Sequence, residues 1–299
     1  MFENVLGHKD IVEKLRTIVE KDTPSHAYVF YGKEGVGKSL VAKEFAKAVL
    51  KTNNLDGNID FKYVERLPDK QNILVEQIRD EVISDVYIAP ATSKYKVYVI
   101  DEADKMNDSS QNALLKTLEE PPKSVIIILV TSNIDGLLGT ILSRTTNIYF
   151  EPLDESEIKK YIVLNKIEVS KELVQFAEGS ISTLLKVADE SNKQILETLS
   201  NIIQDIKEKD KVSAINLLKD VSLKDELTFK YIEYLMLKNA MYGALPLLED
   251  ARRAVNSNAN EDMQKMKLAI KLCEWGEFIG TKSIMCKISI YGKALLLKP

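Results

Sequence analysis

A chain of 299 residues is longer than one hydrophobic core usually organises, so two or three packed domains are expected. Hydrophobic residues make up 45% and charged residues 29%, a balance that excludes both an intrinsically disordered chain and a bundle of membrane helices. A net charge of −4 excludes indiscriminate coating of nucleic acid, which depends on accumulating Lys and Arg against phosphates.

In chain order, Ile11, Leu15, Ile18 and Val19 recur at helical spacing and lead into a short apolar run, Ala27 to Tyr31, that ends at a glycine. After it comes GKEGVGKS, Gly32 to Ser39, and then the helical text LVAKEFAKAVL. Further strands are expected at Phe61 to Val64, Val97 to Ile100, Val125 to Thr131 and Asn147 to Phe150, with helical patterns between them. Apolar strands alternating with helices specify a parallel sheet covered on both faces, with ligands at the carboxyl ends of the strands. The first part, residues 1–152, therefore reads as a RecA-like α/β domain. Beyond Phe150 the strand signals stop. Short helices broken at Gly179 predict a small helical lid over 153–202, and long amphipathic helices predict an all-helical domain over 203–299, interrupted at KEKDK, Pro246 and NSNAN. Cys273 and Cys286 are the only cysteines and read as buried thiols. The opening MFENVLGHKD lacks a basic-then-apolar leader, and no apolar run reaches the ~20 residues of a membrane helix, so a cytoplasmic protein with no membrane attachment is expected.

The strongest chemical signal is Gly32-Lys33-Glu34-Gly35-Val36-Gly37-Lys38-Ser39, which follows a predicted strand and opens a predicted helix, the context of a P-loop. Its glycines let backbone amides wrap phosphates. Lys38 supplies charge to the β and γ phosphates of a nucleoside triphosphate, and the Ser39 hydroxyl is a ligand for Mg²⁺. In KVYVIDEADKM, Asp101 and Glu102 stand directly after a buried strand, where the first holds Mg²⁺ and the second orients attacking water. Thr131, Ser132 and Asn133 end the next strand, placed either to sense the γ-phosphate or simply to make a turn. Arg144 falls at a helix end before the last strand, where an arginine is ordinarily a solvated surface group.

HAYVFYGKEGVGKS, KVYVIDEADKMNDSSQNALLKTLEEPP and LVTSNIDGLLGTILSRTTNIYF together resemble the clamp-loader branch of the AAA+ family. The phrase QNALLKTLEEPP, Gln111 to Pro122, is similar to bacterial gamma/tau and delta-prime subunits of DNA polymerase III. The resemblance implies an AAA+ P-loop domain, a lid and a carboxyl-terminal collar that joins other clamp-loader subunits, gamma/tau and delta. It implies a cycle in which the assembled complex places a sliding clamp on primer-template DNA. The family's Ser-Arg-Cys motif falls on Ser143, Arg144 and Thr145, which makes Arg144 an arginine finger for a neighbouring ATP site. Val5, Leu6 and Gly7, beside His26 and Ala27, fall where the family builds part of the adenine pocket. Of the two histidines, neither His8 nor His26 has the company of a metal site.

Two departures from the family bear on activity. TNNLDGNID after Lys51 lacks the four zinc-binding cysteines many members carry, so no zinc is expected. The lid's sensor-2 arginine is replaced by Ser182, so hydrolysis by this chain itself is expected to be weak unless a lysine such as Lys186 substitutes. The expectation is a delta-prime-like subunit that binds ATP-Mg and donates Arg144; a hydrolysing gamma/tau-like motor and an interaction protein with a vestigial site are the alternatives. Leu227, Tyr231, Tyr234 and Leu235 form an apolar stripe that serves either the collar or the core of its own domain.

Overall fold

The computed structural model describes residues 1–279 apart from 209 and 220, so Cys286 lies outside the described residues. The chain divides into two compact units, Met1–Leu185 and Lys186–Pro299. The first contains strands β1 (Ala27–Gly32), β2 (Phe61–Val64), β3 (Lys96–Ile100), β4 (Val125–Thr131) and β5 (Thr146–Phe150). Around them lie helices α1 (Lys9–Glu20), α2 (Lys38–Leu50), α3 (Val75–Ile78), α4 (Asp108–Glu119), α5 (Gly139–Leu142), α6 (Glu155–Asn165) and α7 (Lys171–Ala177), with α8 (Ile181–Ala188) beginning near its end. The second unit is helical among its described residues: α9 (Glu190–Glu208), α10 (Lys211–Lys219), α11 (Glu226–Lys238), α12 (Leu245–Asn256) and α13 (Glu261–Ile279).

All five strands are parallel, in the order β2-β3-β4-β1-β5. The near-continuous apolar strands follow from burial on both faces, because alternate side chains must enter different cores. Tyr28, Phe30, Val97, Val99, Ile126 and Ile128 join Leu15, Val41, Phe45 and Phe150 on one face. Ala27, Val29, Tyr98, Ile100, Ile127 and Leu129 join Ile78, Leu114, Leu118 and Ile141 on the other. A third, small cluster of Leu153, Ile158, Ala177 and Leu184, with Leu6 packed against it, is the core of the short-helix segment. There Asp154 and Glu157 form a reciprocal capping box on α6, and Ser170 caps α7, which satisfies amides at the starts of two helices.

Asp60 fixes the approach to β3 from below the sheet. It is buried at 1% exposure, and its carboxylate accepts from the amides of Ala91, Thr92 and Ser93 and from the Thr92 hydroxyl, at 2.7–2.8 Å. Burial alone would raise its pKa, but the Thr92 hydroxyl and the three amides outweigh it and hold the group at about 2. Because the folded pKa lies below the unfolded value, this contribution is present above pH ~4 and is lost as pH falls toward 2. Asp60→Ala takes the acceptor from three amides and the Thr92 hydroxyl and is expected to cost about 2 kcal/mol at neutral pH by denaturant unfolding. The deficit relative to wild type should shrink as the pH is lowered below 4.

In the second unit Tyr231 and Leu235 are buried at 1% and 3%, and the Tyr231 hydroxyl lies 2.9 Å from that of Ser200. Of the stripe read from the sequence, those two residues form domain core, while Leu227 and Tyr234 are partly exposed. Cys273 is buried as a free thiol. Among the described residues no helix is long and apolar enough to cross a membrane.

Candidate nucleotide-binding site

The carboxyl ends of β1, β3 and β4 are adjacent in the sheet and bring together the P-loop, the acidic pair and the polar strand end. Gly32, Gly35 and Gly37 all have positive φ, at 146°, 76° and 106°, so the turn into α2 uses backbone conformations that side chains rarely adopt. The three glycines differ in what surrounds them. A Cβ on Gly32 would collide with the Phe150 carbonyl of β5, and one on Gly35 with Ser180 and Ser182. A Cβ on Gly37 would meet nothing within 4 Å, so the loop is open at the start of α2, where amides and helix dipole favour an anion.

Lys38 is only 6% exposed and folds back on its own loop, donating to the carbonyls of Gly32 at 2.8 Å and Lys33 at 2.6 Å. Burial lowers the pKa of its ammonium, opposed by Asp101, Glu34 and Asp104. Ser39 Oγ donates to Asp101 Oδ2 at 2.7 Å. Those two hard oxygens, at the mouth of the phosphate loop, are the donor chemistry that Mg²⁺ selects. The remaining Asp101 oxygen accepts from the Glu102 amide at 2.9 Å, and Asp101 is tied to β2 through its own amide to the Val64 carbonyl.

Two residues of the β2 edge that the motifs did not reveal close around the acidic pair. The Tyr63 hydroxyl donates to Asp101 Oδ2, and burial together with the Asp101 carboxylate pushes its pKa far up, so it stays a neutral donor. Arg66 Nε bonds Glu102 Oε2 at 3.1 Å. Glu102 itself has a left-handed backbone, φ 47° and ψ 43°, an uncommon state for a residue with a side chain. Strand periodicity puts Tyr63 on one face of the sheet without showing what its hydroxyl meets, and Arg66 lies beyond the strand, where nothing in the local pattern points inward.

Thr131 is 1% exposed, and its hydroxyl donates toward Asp104 Oδ1 at 2.7 Å while receiving the Asn133 amide at 3.0 Å. Asn133 caps the following turn through the Asp135 amide, and Ser132 is exposed. Gln111 of the QNALLKTLEEPP phrase is buried at 2% and bonds the carbonyls of Met106 and Gly136 and the amide of Leu138. That glutamine fastens α4 to the loops after β3 and β4.

From the lid side, the Ser182 amide donates to the Gly35 carbonyl at 3.2 Å, and Lys33 Nζ pairs with Glu178 at 2.6 Å. Ser182 therefore touches the P-loop through its backbone. At the amino terminus, Gly7 (φ 71°) is packed against Leu153 and Glu157, Leu6 joins the lid cluster and Val5 joins the sheet core. His8 bonds the Val36 carbonyl at 2.8 Å and sets its ring edge-on to Phe150. His26 Nε2 is buried with no hydrogen-bond partner.

Arg144 stands elsewhere, between α5 and β5. Its guanidinium pairs with Glu119 of α4 at 2.9 Å and donates to the Thr140 carbonyl at 2.9 Å. The register pairs Thr146 with Tyr28 and Phe150 with Gly32. Arg144 thus lies beyond the amino-terminal end of β5, at least four strand steps, roughly 13 Å, below the level of Gly32.

A parallel sheet in this order, with a P-loop after β1, an acidic pair after β3 and a polar residue ending β4, is the fold of AAA+ P-loop proteins. A solved structure of a DNA polymerase III gamma subunit-related protein from Thermotoga maritima shares it, with a TM-score of 0.59 at 18% identity over 89% of this chain and 99% of that one. The family model described as "DNA polymerase III, delta subunit" matches residues 7–154. DNA polymerase III subunit tau of Bacillus subtilis is 35% identical over 218 residues, covering 68% of this chain and 38% of the relative. Subunit tau of Escherichia coli is 32% identical over 211 residues, covering 64% and 33%. The chain belongs to the bacterial DNA polymerase III clamp-loader family of AAA+ subunits, and it spans well under half the length of these two relatives.

Proposed function

We propose that this chain is a delta-prime-like subunit of a bacterial sliding-clamp loader, which binds ATP-Mg²⁺ in its own P-loop and donates Arg144 to the ATP site of a neighbouring subunit. The observation that carries the reading is the register of β5. Arg144 lies at the opposite end of the sheet from Gly32, away from the chain's own phosphate loop, which supports a role toward a phosphate on another chain. Its partial exposure, 35% for the side chain, leaves it accessible there. A guanidinium on a transferring phosphoryl group stabilises the charge that develops on its oxygens.

In the chain's own site, Gly37, Lys38 and the start of α2 hold phosphates, Ser39 and Asp101 are the residues for Mg²⁺, and Val5, Leu6 and Gly7 flank the base. When bound, Mg²⁺ neutralises phosphate charge. Glu102 would orient water, with Thr131, Ser132 and Asn133 at the γ-phosphate end. The Arg66 bond to Glu102 and the serine at position 182 support slow turnover by this chain alone. The division into a nucleotide-binding part (1–152), a lid (153–202) and a collar (203–299) that meets gamma/tau and delta belongs to this reading, as do contact with the sliding clamp and primer-template DNA through the assembled complex. The alternative, a gamma/tau-like motor, is favoured by the intact Lys38, Ser39 and Asp101, and predicts brisk hydrolysis by the isolated chain. The deciding test is clamp- and DNA-stimulated ATPase of the reconstituted loader carrying Arg144→Ala in this chain only. A large fall supports the finger, and an unchanged rate in an intact assembly removes it.

A further inference from the structure

We infer that Tyr63 sets how strongly nucleotide binding in this site depends on Mg²⁺, its phenol competing with the cation for Asp101 Oδ2. The inference rests on the reading of Gly32–Ser39 and Asp101 as an ATP-Mg²⁺ site. An ionised carboxylate has about four acceptor positions. Asp101 already fills three of them, with the Ser39 hydroxyl and the Tyr63 hydroxyl on Oδ2 and the Glu102 amide on Oδ1. The Ser39 hydroxyl turns its proton elsewhere when its oxygen is wanted by a cation, because the same atom both donates and accepts. The phenol of Tyr63 can turn its proton only between two positions in the ring plane, and the ring holds its oxygen beside Oδ2. Its strand position is set by pairing with Val99 of β3, its ring packs against the sheet core, and Lys43 Nζ lies 3.9 Å from the ring centroid.

The hydroxyl bonded to Oδ2 therefore sits where a cation, or a water of its shell, has to draw on the same lone pairs. Mg²⁺ tolerates little departure from its preferred geometry and gives up water reluctantly, so a fixed competing donor weakens the coupling between cation and nucleotide. Nucleotide held without metal makes no demand on Oδ2, and so is not affected by the phenol. Tyr63 is on this argument a positioning residue, acting through Asp101.

The test compares the full chain with Tyr63→Phe, which keeps the ring and removes the donor. A fluorescent non-hydrolysable ATP analogue is titrated in excess Mg²⁺ and again in EDTA. The ratio of Kd in EDTA to Kd in Mg²⁺ is expected to rise on the order of tenfold in the variant, the scale of one charge-assisted hydrogen bond, through tighter binding in Mg²⁺ while Kd in EDTA is unchanged. Tyr63→Leu, lacking both donor and ring, should raise the ratio as well. A ratio that is unchanged or smaller in the folded variants overturns the inference while leaving the nucleotide site standing. Loss of all nucleotide binding in the wild-type chain, with and without Mg²⁺, overturns both.

Discussion

Arg144→Ala in this chain alone is expected to lower the stimulated ATPase of the assembled loader by about 10³, the lower end of what a guanidinium on a transferring phosphoryl group supplies. The isolated chain should keep its stability and nucleotide affinity, since Arg144 is partly exposed and lies far from its own P-loop. Arg144→Lys should recover little of the loss, because an ammonium cannot reproduce the planar fork. Glu119→Gln tests the companion side of the same idea. Glu119 holds the guanidinium in the free chain, so neutralising it should change the stimulated rate much less than removing Arg144. Equal losses for the two variants would mean that the Glu119–Arg144 pair acts through packing at the α4–β5 junction.

Lys38→Ala is expected to weaken binding of ATP by about 10², as removal of a charge-assisted contact to phosphate in a largely buried site should. Without nucleotide the same substitution should change the melting temperature little. The ammonium in the structure rests on two neutral carbonyls at the cost of burial, so its removal takes away as much desolvation as attraction. A thermal melt with and without ATP-Mg²⁺ separates the two effects, because ligand stabilisation follows the ratio of concentration to Kd. The wild type should show a clear ligand-dependent rise and the variant almost none. A variant that is strongly destabilised without nucleotide, yet still shifts on ATP addition, would assign Lys38 to the architecture of the loop.

The strands, the P-loop and the acidic pair were legible in sequence because each is local. A strand buried on both faces must be apolar throughout, as in Val125–Thr131, and a phosphate loop needs glycines at short fixed intervals before a helix. Strand limits moved by one residue at β1, β3 and β5, since flanking polar residues such as Lys96 and Thr146 join the ladder without changing the apolar run. The stripe on α11 left core and collar open, and burial of Tyr231 and Leu235 assigns those two positions to the core.

What the sequence by itself determined is therefore the α/β class, the order of its motifs and the family resemblance, all carried by residues close together in the chain. Only the tertiary structure decided which distant groups meet. Tyr63 and Arg66 reach Asp101 and Glu102 across 38 and 36 residues, Lys33 reaches Glu178 across 145, and His8 reaches Val36 across 28. Nothing in local propensity encodes such pairs, because they depend on which strands become neighbours. The same register that brings Tyr63 to the acidic pair puts Arg144 at the far end of the sheet. Strand order and parallel register, not the motifs, separate the P-loop and its acidic pair from Arg144.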